Sequence, residues 1–130
     1  MSDNEEGRQN EIADELAKVA RLLSHSTRSV PRPSDSYELL ASLRSAQDSL
    51  ALVYAQLAAW HQAAVGEMHY SGRDALSIPG VPATATGARE QVTLLLKIAA
   101  ASAAEAADLV SKAHSANGAV RWFDEVKETA

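Results

Sequence analysis

The sequence predicts an all-α protein: an antiparallel helical bundle of three main helices plus a short C-terminal helix, in one domain over residues 1–130. Three observations predict it. Within residues 39–68, Leu39, Leu43, Ala46, Leu50, Val53, Leu57, Trp60 and Ala64 recur alternately four and three apart, which places them on one stripe of an α-helix. The same spacing returns in Ile12, Leu16, Val19 and Leu23, and again from Val92 to Ala116. Nowhere does the chain alternate apolar and polar residues as a half-buried strand would.

The first helix is expected over about residues 5–26, with residues 1–4 frayed. Leu22 and Ala20 widen its stripe. Its acidic residues gather toward the start (Glu5, Glu6, Glu11, Asp14) and its basic ones toward the end (Lys18, Arg21, Arg28), as the helix dipole favours. Pro31 and Pro33 stop it, because proline removes a backbone donor and drives its neighbours out of helical geometry.

The second helix is expected over about residues 36–70, capped by Asp35 or Ser36, with Gly66 a weak point near its end. A second apolar line runs through Leu40, Ala51, Tyr54, Ala58 and Val65. No Asp, Glu, Lys or Arg lies between Asp48 and Glu67, so this helix needs cover. Residues 71–87 form a long connection, with Pro79-Gly80 as a turn signal and a short helical turn near Asp74–Leu76.

The third helix is expected over about residues 88–117, started by Thr86 or Gly87. Its stripe reads Val92, Leu95, Ala99, Ala103, Ala106, Leu109, Ala113 and Ala116, flanked by Leu96 and Val110. Asn117-Gly118 reads as a stop, with Gly118 suited to the left-handed position after the last turn. Residues 119–128 then read as a short helix carrying Val120, Trp122, Phe123 and Val126.

An antiparallel pairing of the second and third helices about the connection sets Tyr70 against Ala88, Trp60 level with Ile98, and Val53 against Ala103 and Ala106. The first helix would fold back along the second, with Leu23 near Leu39 or Leu40 and Ile12 near Leu50. Its cover then stops halfway.

Composition bounds the function. The net charge of -5 argues against gripping nucleic-acid backbone. The absence of cysteine removes disulfides, thiolate metal sites and thiol catalysis. Residues 1–11 are acidic and polar, unlike a secretory leader, and residues 49–66 hold Gln56, His61 and Gln62, unlike a membrane span; a cytoplasmic location and no membrane contact are expected. Abundant alanine, with eight Arg against four Lys, is the bias of a high-GC genome, actinobacterial or phage.

Motifs with chemistry are sparse. His61 and His69 are two helical turns apart, too far to share one ion, and no Glu-x-x-His pair occurs, so no metal or other cofactor is expected. The acidic sets Glu11/Asp14/Glu15, Glu105/Asp108 and Glu125/Glu128 have the spacing used by magnesium-dependent nucleotide hydrolases, but solvated helix faces account for them more simply. His69, Arg73 and Arg89 form a candidate anion cluster, with loop anchoring the simpler reading. No catalytic motif is found.

The expectation is therefore a non-enzymatic interaction protein, self-associating or bound to a protein partner through the upper half of the second and third helices. The candidate interface or pocket residues are Val53, Tyr54, Leu57, Trp60, His61, Ala64, Met68, Leu95 and Ile98. Two alternatives stand beside it. The apolar residues around Trp60 could line a small-ligand pocket, or Leu76, Ile78 and Val81 could fold down from the connection to cover them.

Overall fold

The computed structural model describes residues 7–29, 32–71, 80 and 84–125. Three α-helices make up most of it: α1 (Arg8–Ser26), α2 (Ser36–Ala63) and α3 (Ala85–Asn117). A 3-10 turn, Pro33–Asp35, leads into α2. No strand occurs among the described residues beyond one isolated bridge between Gly66 and Tyr70. The chain divides into two units, one joining residues 1–36 to residues 121–130 and one holding residues 37–120.

In the first unit, α1 starts after Gly7, whose left-handed φ of 84° needs a glycine, and Thr27 closes it by returning its N–H to the Leu23 carbonyl. The amphipathic stripe is not covered. Ile12, Leu16 and Val19 are exposed and Leu23 is half-buried. After Arg32 the 3-10 turn runs straight into α2: Ser36 already has helical geometry (φ -56°, ψ -38°), so no separate capping residue stands between them. The Ser34 N–H donates to Asp124 Oδ1 at 3.0 Å, tying residues 121–125 to this turn.

The short C-terminal helix does not form over residues 119–125; residues 126–128 lie outside the described part. Val120, Trp122 and Phe123 are poor helix formers, and about ten residues cannot sustain a helix without packing. Gly118 ends α3 by a different device from the one its sequence context implies. Its φ is -63°, so it does not use the left-handed region. What it supplies is room: an added Cβ would sit 3.2 Å from both the Ser115 carbonyl and Tyr37 Cε1.

In the second unit, α2 ends at Ala63, seven residues before the expected boundary. Residues 64–70 fold instead into a compact turn. His69 N–H and Met68 N–H donate to the Val65 carbonyl, Glu67 N–H donates to the Tyr70 carbonyl at 2.7 Å, and Val65 N–H donates to His69 Nδ1 at 2.9 Å. Glu67 takes a left-handed φ of 66°, and the Tyr70 ring covers the Cα of Gly66, where a side chain would crowd the phenol at 3.3 Å. The Tyr70 hydroxyl also bonds Thr86 at 3.1 Å. α3 starts three residues early, because Thr84 caps it: the Thr84 hydroxyl accepts from Gly87 N–H at 3.0 Å. The expected helical turn near Asp74–Leu76, and the cover expected from Leu76, Ile78 and Val81, lie outside the described residues. Gly80 is in a turn with φ 80° and its carbonyl accepts from Gln91 Nε2.

α2 and α3 touch at both ends. The Arg89 guanidinium donates to the carbonyls of His61 and Gln62 at 3.1 and 3.2 Å, and Tyr37 stacks on His114 with centroids 4.0 Å apart. Tyr37 therefore meets His114, not Arg121, and His61 meets Arg89, not Lys97: the expected register is displaced by one heptad. The displacement follows from the early end of α2 and the early start of α3.

Between these ends the covered positions run Leu40, Leu43, Gln47, Leu50, Tyr54, Ala58 and His61 on α2, and Arg89, Thr93, Leu96, Ala100, Ala103, Ala107, Val110 and His114 on α3. Both lines are spaced three and four residues apart, strictly alternating on α3 and with two successive fours, Leu50–Tyr54–Ala58, on α2. The seam's fully buried residues are small: Ala58 (2% exposed), Ala107 (3%), Ala103 and Thr93. Thr93 satisfies its hydroxyl on the Arg89 carbonyl at 3.1 Å. On α3 the stripe read from sequence is covered only in part: Ala103 is buried and Ala99 and Ala106 are half-buried. Leu96 and Val110, placed at its flank, are turned inward, while Val92, Leu95 and Leu109 are exposed. On α2 the covered positions draw on both lines read from sequence, Leu43 and Leu50 from the first and Leu40, Tyr54 and Ala58 from the second, while Val53, Leu57 and Trp60 of the first and Val65 of the second are exposed.

Candidate interaction surface

Small residues bring two helices close, and closeness pushes large side chains off the contact line. The consequence is visible on each helix. On α2, Val53, Leu57 and Trp60 stand four and three apart beside the seam, continuous with half-buried Leu50 and Ala64. Trp60 is 62% exposed, with the His61 ring edge-on to it at 4.8 Å. On α3, Val92, Leu95, Ala99, Ser102, Ala106, Leu109 and Ala113 make the corresponding line, its large members exposed.

The other expected site residues distribute as follows. Tyr54 and His61 are half-buried in the seam. Met68 is 75% exposed in the turn after α2, off the helix that was to carry it. Ile98 is exposed, but it stands about 60° round α3 from Leu95, since three residues advance a helix by 300°. Val92 and Leu109 belong to the exposed line and were signalled in the sequence only as core positions.

No anion cluster forms among the described residues of the candidate trio. Arg89 is spent on the carbonyls of His61 and Gln62, with Glu90 Oε1 at 3.8 Å from its other terminal nitrogen; His69 holds the turn; Arg73 lies outside the described residues. Arg89 therefore anchors the end of α2, where a cation also answers the helix dipole. An open hollow of about 350 Å³ beside it is lined by Gln62, Arg89, Glu90, Thr93, Leu94 and Lys97, without Trp60.

The acidic sets are exposed as far as they are described, Glu11, Asp14, Glu15, Glu105 and Asp108 on helix faces and Glu125 in the non-helical C-terminal segment. Asp14 pairs with Lys18 at 3.1 Å and Asp108 with Lys112 at 3.0 Å, each one turn apart. Such exposed pairs contribute a few tenths of a kcal/mol, roughly. Among the described residues no three His, Asp or Glu side chains converge to hold a metal ion. No described helix is long and apolar enough to cross a membrane. Comparison of the chain with protein-family models, with curated proteins and with solved structures gives no match.

Proposed function

We propose that this chain is a non-enzymatic interaction module whose α2–α3 pair associates with a second copy through one apolar face. The observation that carries the reading is an inversion of size. The fully buried residues of the seam are alanine and threonine, while Val53, Leu57, Trp60, Val92, Leu95 and Leu109 are exposed.

The face requires α2 and α3 to run antiparallel, which the contacts at their two ends support: Arg89 with His61 and Gln62, and Tyr37 with His114. In that arrangement helical geometry puts Val53, Leu57 and Trp60 on the same side of the seam as Val92, Leu95, Ala106 and Leu109. Arg44, Asp48 and Gln62 fall on the opposite side with Glu90, Lys97 and Asp108. The hollow shared by Gln62, Glu90 and Lys97 agrees with this handedness. The pair is then an amphipathic hairpin. Leu52, Leu94 and Ile98, also exposed, lie on the outer sides of their helices.

The area is of interface size. The six large residues leave on the order of 500 Å² of side-chain surface in water, near the upper end of the largest patch on an ordinary monomer. With half-buried Leu39, Leu43 and Leu50 at its margin, the face approaches the roughly 800 Å² per partner of a standard interface. A ring as exposed as Trp60 suits a contact anchor better than the wall of an enclosed ligand pocket. The test is mass against concentration by light scattering and sedimentation. The native chain is expected to be dimeric at micromolar concentration, and Trp60→Ala to dissociate it while keeping its helical circular dichroism. A native chain that stays monomeric at the highest attainable concentration overturns the proposal.

A further inference from the structure

Asn117-Gly118 is the one Asn-Gly step in the sequence, and it stands at the end of α3. Such a pair carries a chemistry of its own. The backbone nitrogen after an asparagine can attack the side-chain amide carbon, and glycine, having no side chain, obstructs that attack least. The fold holds the step closed in two ways. The Gly118 N–H donates to the carbonyls of His114 at 3.1 Å and Ser115 at 3.2 Å, which keeps Asn117 helical. Helical geometry sets the Gly118 nitrogen on the C-terminal side of Asn117, while the Asn117 side chain leans toward the N-terminus, so the two do not face each other. The Tyr37 ring, stacked on His114 with centroids 4.0 Å apart, also lies against Gly118, its Cε1 3.2 Å from where a Cβ would stand. Turning the Asn117–Gly118 peptide toward the side chain breaks both hydrogen bonds and moves Gly118 from its seat against Tyr37.

We infer that Asn117 is a site of spontaneous deamidation gated by Tyr37, open only when the start of α2 and the end of α3 part. The Gly118 nitrogen gives up its proton and bonds to Asn117 Cγ. The bond from Cγ to the side-chain nitrogen breaks, and that nitrogen takes a proton and leaves as ammonia. Water then opens the cyclic imide at either carbonyl, giving aspartate or isoaspartate, and nothing is oxidised or reduced. Either product puts a carboxylate at the negative end of the α3 dipole, and isoaspartate also adds a carbon to the main chain beside Tyr37. Conversion therefore favours the parted state, and it makes the release of the Tyr37–His114 contact one-way.

The full-length chain is incubated at mildly alkaline pH, folded or unfolded in urea, and peptides spanning residue 117 are read by mass spectrometry for replacement of ammonia by water. Asn10, followed by Glu11, is the internal reference. Conversion at Asn117 is expected to be at least about tenfold slower in the folded chain, a ratio set by how rarely the last turn opens. Tyr37→Ala, checked for native helicity, should raise the folded-state rate several-fold, and Tyr37→Phe, which keeps the ring, should leave it unchanged. Hydrogen exchange at the Gly118 amide of the parent measures the same opening without a variant, and its protection should match the deamidation ratio. Equal rates in the folded and unfolded parent, or a protection that does not match, overturn the gating. A Tyr37→Ala rate equal to the parent's overturns Tyr37 as the gate. No conversion in urea overturns the site itself.

Discussion

Replacing Arg89 should unfasten α2 from α3 at the connection end. Its guanidinium donates to two carbonyls of the last turn of α2, at 3.1 and 3.2 Å, from a side chain only 18% exposed. Hydrogen bonds from a charged donor are worth about 1.5–3 kcal/mol each, and a cation at a helix C-terminus adds about 0.3–1 kcal/mol. Two effects reduce the sum. Gln62 is exposed, so water can replace part of what is lost, and Arg89 Nε is buried with no partner, a cost that truncation relieves. The expected net loss for Arg89→Met, which keeps the stem and removes the donors, is about 2–3 kcal/mol. At about 4–8 °C per kcal/mol for a unit of this size, the melting temperature falls by about 10–20 °C. Arg89→Lys should lie between, since both bonds leave the single Nη1, and an ammonium can supply two such bonds but on a shorter stem and without the fixed direction of the guanidinium plane. Thermal and urea unfolding followed by circular dichroism, at one protein concentration, measures this. An Arg89→Met variant within about 0.5 kcal/mol of the parent would refute the clasp, since that is the range of ordinary surface substitutions.

Two further outcomes follow from the seam and from the C-terminal segment. Ala107→Leu adds three carbons at a position only 3% exposed and should destabilise by about 1–3 kcal/mol, while Ala101→Leu on the outer side of α3 should stay within about 0.5 kcal/mol in the same unfolding assay; equal effects would mean the seam is misplaced. Hydrogen bonds from the Ser34 hydroxyl and backbone N–H, with a smaller pull from Arg32, hold the Asp124 carboxyl below the ordinary value of 3.8 against a slight opposing effect of burial. A lowered folded-state value means that the contact is fully present above pH 3.8 and is lost as pH falls through the lower folded value. The Ser34 amide resonance should therefore titrate with a midpoint below 3.8, and the transition should vanish in Asp124→Asn; a midpoint at or above 3.8 would refute the contact.

The three helices were legible because each carries its own signal. Four-and-three spacing needs no partner to be recognised, and Pro31, Pro33 and Asn117-Gly118 interrupt it by local backbone chemistry. The helix ends were less legible where a distant group decides them. α2 stops at Ala63, where Arg89 takes the carbonyls of His61 and Gln62, and α3 starts at Ala85 because the Thr84 hydroxyl accepts from Gly87. The candidate surface was half legible: Val53, Leu57, Trp60 and Leu95 keep large exposed area, while Tyr54 and His61 turn into the seam and Met68 leaves the helix.

What the sequence by itself determined was that each of these helices has an apolar arc. It did not determine which edge of the arc would be buried. On α3 the lines Val92–Leu95–Leu109 and Leu96–Ala103–Val110 are adjacent and both apolar, so periodicity weighs them about equally. The choice belongs to the pair. In the register that Arg89 and His114 mark, Ala58 lies level with Thr93, Ala103 with Gln47 and Ala107 with Leu43, so each small residue comes opposite a covered position of the other helix. Tertiary packing thus gave full burial only to small residues of the seam, with Leu43, Leu50, Leu96 and Val110 half-buried beside them, and left Val53, Leu57, Trp60, Val92, Leu95 and Leu109 exposed, for the physical reason that two helices in contact leave complete cover only for side chains that are small.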